Sequence, residues 1–242
     1  VNPRTYQASV SKGIDLQDDN GVLNLSAEWA RAVKKLISPY ESYNRTGITL
    51  SYSNNFARSL RFEAGFAGNI GGMNTKDDPD AFTGQFEKER DNAFRANTSL
   101  NWMVNRSWIT SLKFDASVNF NDNLYRFHKY ESYASNQPAV HAQLPGYFLA
   151  EQLPLTYFSD QITDSKELDF AASLKYNWNK RWDDWKSLLK AGVQWKANGN
   201  VGQGEYYENP ALAANGYRPR PYTDYPFMHN LSVYAEEQLT IP

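Results

Sequence analysis

The chain has 242 residues, a formal net charge of −2 and no cysteine. This charge gives no signal for nucleic acid or an anionic surface, and without cysteine the chain has no disulfide framework and no thiol nucleophile. A mean hydropathy of −0.68 with no long apolar run excludes a transmembrane helix. It does not exclude a transmembrane β-barrel, whose lipid-facing residues alternate with polar lumen residues.

Nine segments predict β-strands, because apolar residues alternate with polar ones in each of them. Successive side chains of a strand point to opposite faces, so this period of two predicts a sheet with one apolar and one polar face. The apolar positions of the first four strands are Tyr6, Ala8, Val10; Leu23, Leu25, Ala27, Trp29; Ile48, Leu50, Tyr52; and Leu60, Phe62, Ala64, Phe66. Those of the last five are Phe94, Ala96, Thr98, Leu100, Trp102; Leu112, Phe114, Ala116, Val118, Phe120; Leu168, Phe170, Ala172, Leu174, Tyr176, Trp178; Leu189, Ala191, Val193, Trp195; and Leu231, Val233, Ala235.

The hairpin over residues 92–121 is the most regular part of the pattern. Its two runs exceed the usual soluble strand of roughly five to six residues. They match the roughly 9–11 residues that a tilted strand needs to cross a bilayer.

The predicted connections alternate in length from the third strand onward. Short turns alternate with long loops over residues 70–91, 122–166 and 198–229. A membrane barrel has short periplasmic turns and longer outer loops. Five tryptophans flank two of the short turns, as in the aromatic girdle of such a barrel. They are Trp102, Trp108, Trp178, Trp182 and Trp185.

The predicted fold class is therefore all-β, an antiparallel transmembrane β-barrel that occupies the whole of residues 1–242 as one partial domain. The alternative is a soluble β-sandwich or jelly roll, whose apolar faces would form a core. Nine strands is an odd number, whereas closed bacterial single-chain barrels are even-stranded. The sequence is thus expected to supply about nine early-to-middle strands of a larger barrel, with no plug domain in this chain.

Three stretches resemble the barrel of TonB-dependent outer-membrane receptors of the SusC/RagA type from Bacteroidetes. They are Ser42-Tyr43-Asn44-Arg45-Thr46-Gly47-Ile48-Thr49-Leu50, Leu60-Arg61-Phe62-Glu63-Ala64-Gly65-Phe66 and Val233-Tyr234-Ala235-Glu236-Glu237-Gln238-Leu239. Each motif is short, and their order and loop spacing carry the resemblance.

The resemblance implies a barrel of about twenty-two strands, localised in the bacterial outer membrane in contact with its lipids. It also implies active import of a glycan, oligopeptide or similar nutrient, powered by TonB, ExbB and ExbD. Members of this type pair with a SusD-like surface lipoprotein. A porin or adhesin-like barrel without TonB coupling remains the alternative, as does a soluble carbohydrate-binding sandwich.

No catalytic or cofactor-binding arrangement is predicted, and the chain is not expected to be an enzyme. The three histidines lack metal-ligand spacing, and the Gly199–Gly204 segment precedes no helix that could bind phosphate. Asp77-Asp78-Pro79-Asp80 is interpreted as a solvated loop tip rather than a Ca²⁺ site.

The outer loops hold the candidate contacts for a ligand or partner. Aromatic rings among hydrogen-bonding groups suit sugar or peptide capture, although Tyr-rich loops also pack on each other or on a partner. The candidates are Tyr125, Arg126, His128, Tyr130, Tyr133, Tyr206, Tyr207, Tyr217, Arg218 and Arg220.

Overall fold

The computed structural model describes residues 4–16, 21–34, 41–75, 84–135, 138–144, 147–182, 185–212 and 219–241. These residues form twelve strands and two single 3-10 turns. The strands are β1 (Arg4–Asp15), β2 (Gly21–Lys34), β3 (Glu41–Ala57), β4 (Leu60–Thr75), β5 (Phe86–Arg106), β6 (Ile109–Ser132), β7 (Pro138–Leu144), β8 (Tyr147–Gln152), β9 (Thr156–Trp182), β10 (Trp185–Asn200), β11 (Gly204–Tyr207) and β12 (Met228–Thr240). The 3-10 turns are Pro210–Leu212 and Tyr222–Asp224.

Ten of the strands form one antiparallel sheet in the order β1-β2-β3-β4-β5-β6-β9-β10-β12, with β11 paired to β9 beyond the end of β10. Strands β7 and β8 form a separate hairpin. The nine predicted strands are the nine members of this path, and the prediction of an all-β antiparallel sheet is confirmed. Within the described ranges β1 does not pair with β12, so this sheet is open.

The sheet has one apolar and one polar face, as the alternation predicts. On the apolar face, cross-strand rows run through Leu100, Phe114, Leu174 and Val193, and through Phe94, Phe120 and Leu168. The side chains in these rows are partly exposed to solvent: Phe114 and Leu174 are each 40% exposed. The only buried apolar residues in the described part of the chain are Ile109, Leu153 and Ala197. Within the described residues, this apolar face is therefore left largely uncovered.

The polar face carries a network of charges and amides in the same rows. Asp115 accepts a hydrogen bond from Ser99 (2.8 Å) and lies 3.1 Å from the ammonium of Lys113 and 3.4 Å from that of Lys175. Asn177 donates to the hydroxyl of Ser111 across the neighbouring strand pair. Each group thus finds partners within the face.

The two ends of the sheet differ in their connections. Ser107 and Trp108 join β5 to β6, and residues 58–59 join β3 to β4. Asn105, beside the first of these turns, has a positive φ of 50°, which asparagine tolerates better than most residues. These turns lie at one end, which we call the short-turn end. The strand ends on either side of the long connections, over residues 76–85, 133–155 and 201–227, lie at the other.

The predicted long loops are shorter than expected, because several strands continue into them. Strand β6 runs eleven residues past the predicted hairpin end at Asn121, and β9 begins at Thr156 instead of near Leu168. Strands β7, β8 and β11 also lie inside predicted loops. Paired backbone stays extended there although the apolar–polar alternation stops.

Among the described residues, no helix is long and apolar enough to span a membrane.

Candidate functional site

The continuation of β5, β6 and β9 past the apolar rows, together with β11, brings most of the predicted site residues together. The last apolar row contains Phe94, Phe120 and Leu168, and the next contains Asn92, Asp122 and Lys166 on the same face. We call the part of these strands beyond that polar row the extension. A chemical boundary therefore crosses β5, β6 and β9 at one level, whereas on β4 the apolar Ile70 lies in the same row.

An ion-pair network occupies the apolar-face side of the extension. Arg126 on β6 donates from Nε to Asp160 Oδ1 (2.9 Å) and from Nη2 to Glu208 Oε2 (2.6 Å). His128 Nδ1 lies 3.0 Å from the same oxygen of Asp160. The register pairs His128 with Asp160 and Arg126 with Ile162, which places these groups on adjacent strands.

Asp160 is held ionised by this network. Partial burial favours the neutral carboxyl and would raise its pKa. The hydrogen bonds and charges of Arg126 and His128 outweigh burial and lower the pKa of Asp160 below its ordinary value. The carboxylate therefore anchors β6 to β9 electrostatically over the normal pH range.

Aromatic rings stack beside the network on the same face. The imidazole of His128 lies between the rings of Phe86 and Phe158, with centroids 4.7 Å from each and near-parallel planes. Tyr130 packs against Phe158 at 5.3 Å. Rings of three strands thus form one wall, which leaves His128 little freedom to turn.

A second group lies on the polar-face side of the extension. Tyr133 stacks on Tyr157 with centroids 6.0 Å apart, and Lys129 pairs with Glu131 at 2.7 Å. Burial raises the pKa of both Tyr157 and Tyr207, and nearby Glu131 and Tyr133 add to the effect. Both phenols are therefore neutral over the ordinary pH range.

Residues 222–226, which precede β12, help to line a concavity at the polar face. Tyr222 and Tyr225 share the lining of this space of about 660 Å³ with Asp169 and Asn198. A smaller depression of about 330 Å³ shares Asp169 and Asn198 and continues toward Lys196. Aromatic faces opposed to amide and carboxylate groups could bind a hydroxyl-rich or amide-rich ligand.

A glycine fixes how the chain after β10 returns to the sheet. Gly204 has a φ of +80°, and a Cβ there would collide with the backbone of Arg220, whose strand bridge to Glu205 closes the loop. The Gly199–Gly204 segment contains the end of β10, the three linking residues 201–203 and the start of β11. In it, Asn200 Oδ1 accepts hydrogen bonds from the backbone N–H groups of Lys166 and Gly202.

The predicted site residues divide between the two faces. Tyr125 to Tyr130 were expected in a loop, but they lie in β6, where alternate side chains point to opposite sides. Arg126, His128, Tyr130 and Tyr206 lie on the apolar-face side; Tyr125, Tyr133 and Tyr207 lie on the polar-face side. Arg220 is exposed at its bridge with Glu205. Tyr217 and Arg218 lie outside the described residues, as does the Asp77–Asp80 cluster.

The prediction did not include Asp160, Glu208, Phe86, Phe158 and Tyr157. They contact Arg126, His128 and Tyr133 through strand pairing between residues distant in the sequence. Alternation within residues 122–132 could have indicated a continued strand, but no local signal reports the partner strand's register.

The five tryptophans lie together at the short-turn end, and four of them are well exposed. Trp102, Trp108, Trp182 and Trp185 are 44–65% exposed. Trp178 donates from its indole nitrogen to the carbonyl of Ser107 (2.8 Å) and packs edge-on against Trp182 at 5.8 Å. The ammonium of Lys180 lies 5.0 Å from the Trp182 ring.

No group of three or more potential metal ligands occurs in the described ranges. The search of protein-family models and of curated protein sequences found no match to this chain.

Proposed function

We propose that this chain forms transmembrane strands of a larger outer-membrane β-barrel. In this barrel the apolar face contacts lipid and the polar face lines the lumen. The observation that carries the proposal is the continuous, solvent-open apolar face, bounded on β5, β6 and β9 by the row Asn92, Asp122 and Lys166.

The height of the apolar face fits this role. Trp102 and Phe94 mark its two limits on β5. Eight residue steps at about 3.3 Å each span roughly 26 Å along the strand. The apolar band of an outer-membrane barrel is about 25 Å tall, and strand tilt shortens the projected height while the end side chains add to it.

A soluble β-sandwich would need a second sheet over these side chains. In the described part of the chain the only other sheet is the small β7–β8 hairpin, and Phe66, Trp102 and Phe114 remain 40–47% exposed. The tryptophans at the short-turn end also favour a membrane barrel over a sandwich, since indoles prefer the headgroup level of a bilayer.

The transport role proposed for the barrel is TonB-dependent import of a glycan, oligopeptide or similar nutrient. The resemblance of Ser42–Leu50, Leu60–Phe66 and Val233–Leu239 to SusC/RagA-type receptors supports it. On this proposal TonB, ExbB and ExbD supply the energy, and a SusD-like lipoprotein covers the outer side. Of the aromatic candidates, those on the polar-face side, such as Tyr133 and Tyr207, are placed to meet a substrate in the lumen.

Uptake in cells tests the transport role. Fluorescent oligosaccharides and oligopeptides larger than a general porin admits are offered to bacteria that make the complete protein, with TonB present or deleted. We expect uptake that requires TonB and is lost on addition of a proton uncoupler. Equal uptake with and without TonB would instead assign a passive pore.

A further inference from the structure

A cationic depression lies at the upper limit of the apolar face, on β4, β5 and β6. Lys88, Arg90 and Arg126 line a space of about 540 Å³, together with Gly71, Gly72 and one acidic residue, Glu89, whose position on β5 is on the opposite face. Gly72 pairs directly with Arg90, and a Cβ there would collide with the backbone carbonyl of Glu89, so β4 and β5 approach closely at this point. The depression opens on the side of the sheet that carries the apolar rows.

The arrangement of charges favours an anion in this depression. Lys88 and Arg126 are direct cross-strand partners, and like charges placed opposite each other destabilise a sheet. The Lys88 ammonium lies 4.9 Å from the ring of Phe86, without a carboxylate partner in the described residues. Asp160 and Glu208 already offset the charge of Arg126, so an anion in the depression would chiefly supply the partner that Lys88 lacks.

The two arginines are held in place and retain donors. Arg90 uses Nη2 for Asp122 (2.8 Å), and Arg126 uses Nε and Nη2 for Asp160 and Glu208. A guanidinium has five N–H donors, and its planar fork suits phosphate oxygens. The carboxylates therefore orient the cations without using all their hydrogen-bonding capacity.

Apolar contacts lie beside the cations. Ile70, two residues before Gly72 and on the same face, is 59% exposed, and Leu124 also lines the depression. The polar row with Asn92 and Asp122 lies below them, and beyond it the face continues through Phe94 and Phe120, whose rings are 6.4 Å apart. The chains attached to a phosphate bound by the cations would contact Ile70 and Leu124 first and would pass this one polar row to reach the apolar rows.

We propose that this depression binds the phosphorylated headgroup of a lipid in the outer leaflet of the membrane. The inference rests on the proposed function, because it needs the apolar face to be in lipid. It adds a specific lipid site formed by Lys88, Arg90 and Arg126.

Lipid titration of the protein in detergent micelles, followed by native mass spectrometry, tests this site. The probes are bisphosphorylated lipid A, the same lipid without phosphates, and inorganic phosphate. We expect the phosphorylated lipid to bind most tightly and Lys88→Gln to weaken it about fivefold, the effect of one cation near an anionic headgroup. Lys88→Arg should retain binding. Arg95→Gln, which removes an exposed cation from the polar face of the same strand, should leave binding unchanged.

Equal affinity of wild type and Lys88→Gln for the phosphorylated lipid would overturn the inference, as would equal binding of the phosphate-free lipid. Full competition by inorganic phosphate at equimolar concentration would assign a free-anion site instead. A nitroxide scan of β5 in vesicles separates this failure from failure of the proposed function. If the apolar face lies in lipid while Lys88→Gln has no effect, only the lipid site is wrong.

Discussion

Asp160 illustrates how single residues organise the extension. Its carboxylate contacts both Arg126 and His128 at 2.9–3.0 Å, and its side chain is 18% exposed. Hydrogen bonds to charged groups are stronger than neutral ones and are screened less where water is partly excluded. This one residue of β9 thus holds the side chains of two candidate site residues of β6 in place.

Replacing Asp160 with Asn should destabilise the protein by about 1–2 kcal/mol, because the change removes the charged acceptor of two hydrogen bonds. Denaturant unfolding in detergent micelles measures the effect. Asp91→Asn, an exposed change on β5, serves as the matched control and should have little effect. Equal losses for the two variants would show that the network contributes no specific stability.

The difference in stability between wild type and Asp160→Asn should depend on pH in a defined direction. The pKa of Asp160 is lowered in the folded state. Its stabilising contribution is therefore present above the unfolded pKa of about 3.9 and is lost as the pH falls through the lower folded value. Unfolding measured from pH 6 downward should show wild type and Asp160→Asn converging at the acid end. A constant difference across that range would contradict this assignment.

The site residues were predictable in type but not in arrangement. Arg126, His128 and Tyr133 were identified from the clustering of aromatic and cationic residues. Their partners Asp160, Glu208 and Tyr157 come from segments brought close by strand register. Register over a connection as long as residues 133–155 depends on pairing of the whole sheet, so a local pattern does not determine it.

Strand β6 shows what alternation predicts at the scale of an element and where it fails. Through Phe120 the apolar residues occupy alternate positions, and the strand was identified correctly. From Asp122 onward the same face carries Asp122, Arg126 and His128, so the hydropathy contrast disappears while pairing with β9 continues. The predicted loop there was wrong because side-chain polarity reflects the surroundings of a strand and not only its backbone.

A lysine introduced on the apolar face of β6 should destabilise the protein more than a lysine introduced on its polar face. Ala116→Lys lies in the middle row of the apolar face and should cost roughly 2–4 kcal/mol, as expected for a cation at the bilayer midplane. Ser117→Lys, the adjacent residue on the polar face, should cost little. The folded fraction recovered in lipid vesicles, read from resistance to protease, compares the two. Similar losses for both variants would contradict the assignment of the faces.

At the scale of the whole molecule, the residue types of the sheet differ between its two faces and between its two ends. One face is apolar up to a polar row on β5, β6 and β9, and the other carries the network around Asp115. Tryptophans lie at the short-turn end, whereas the ion pairs and tyrosines of the extension lie at the long-connection end. Both differences are expected of a protein in a bilayer. Lipid contacts only one face of the sheet, and the apolar layer of the bilayer has a polar boundary at each end of the strands.

A nitroxide scan of residues 94–102 tests the central claim most directly. The chain has no cysteine, so single-cysteine variants carry one label each. In lipid vesicles, collision with oxygen should peak at Phe94, Ala96, Thr98, Leu100 and Trp102. Collision with a water-soluble nickel chelate should peak at Arg95, Asn97, Ser99 and Asn101. If the first set is shielded from both reagents and the protein is monodisperse without detergent, the apolar face is the core of a soluble protein and the account is wrong.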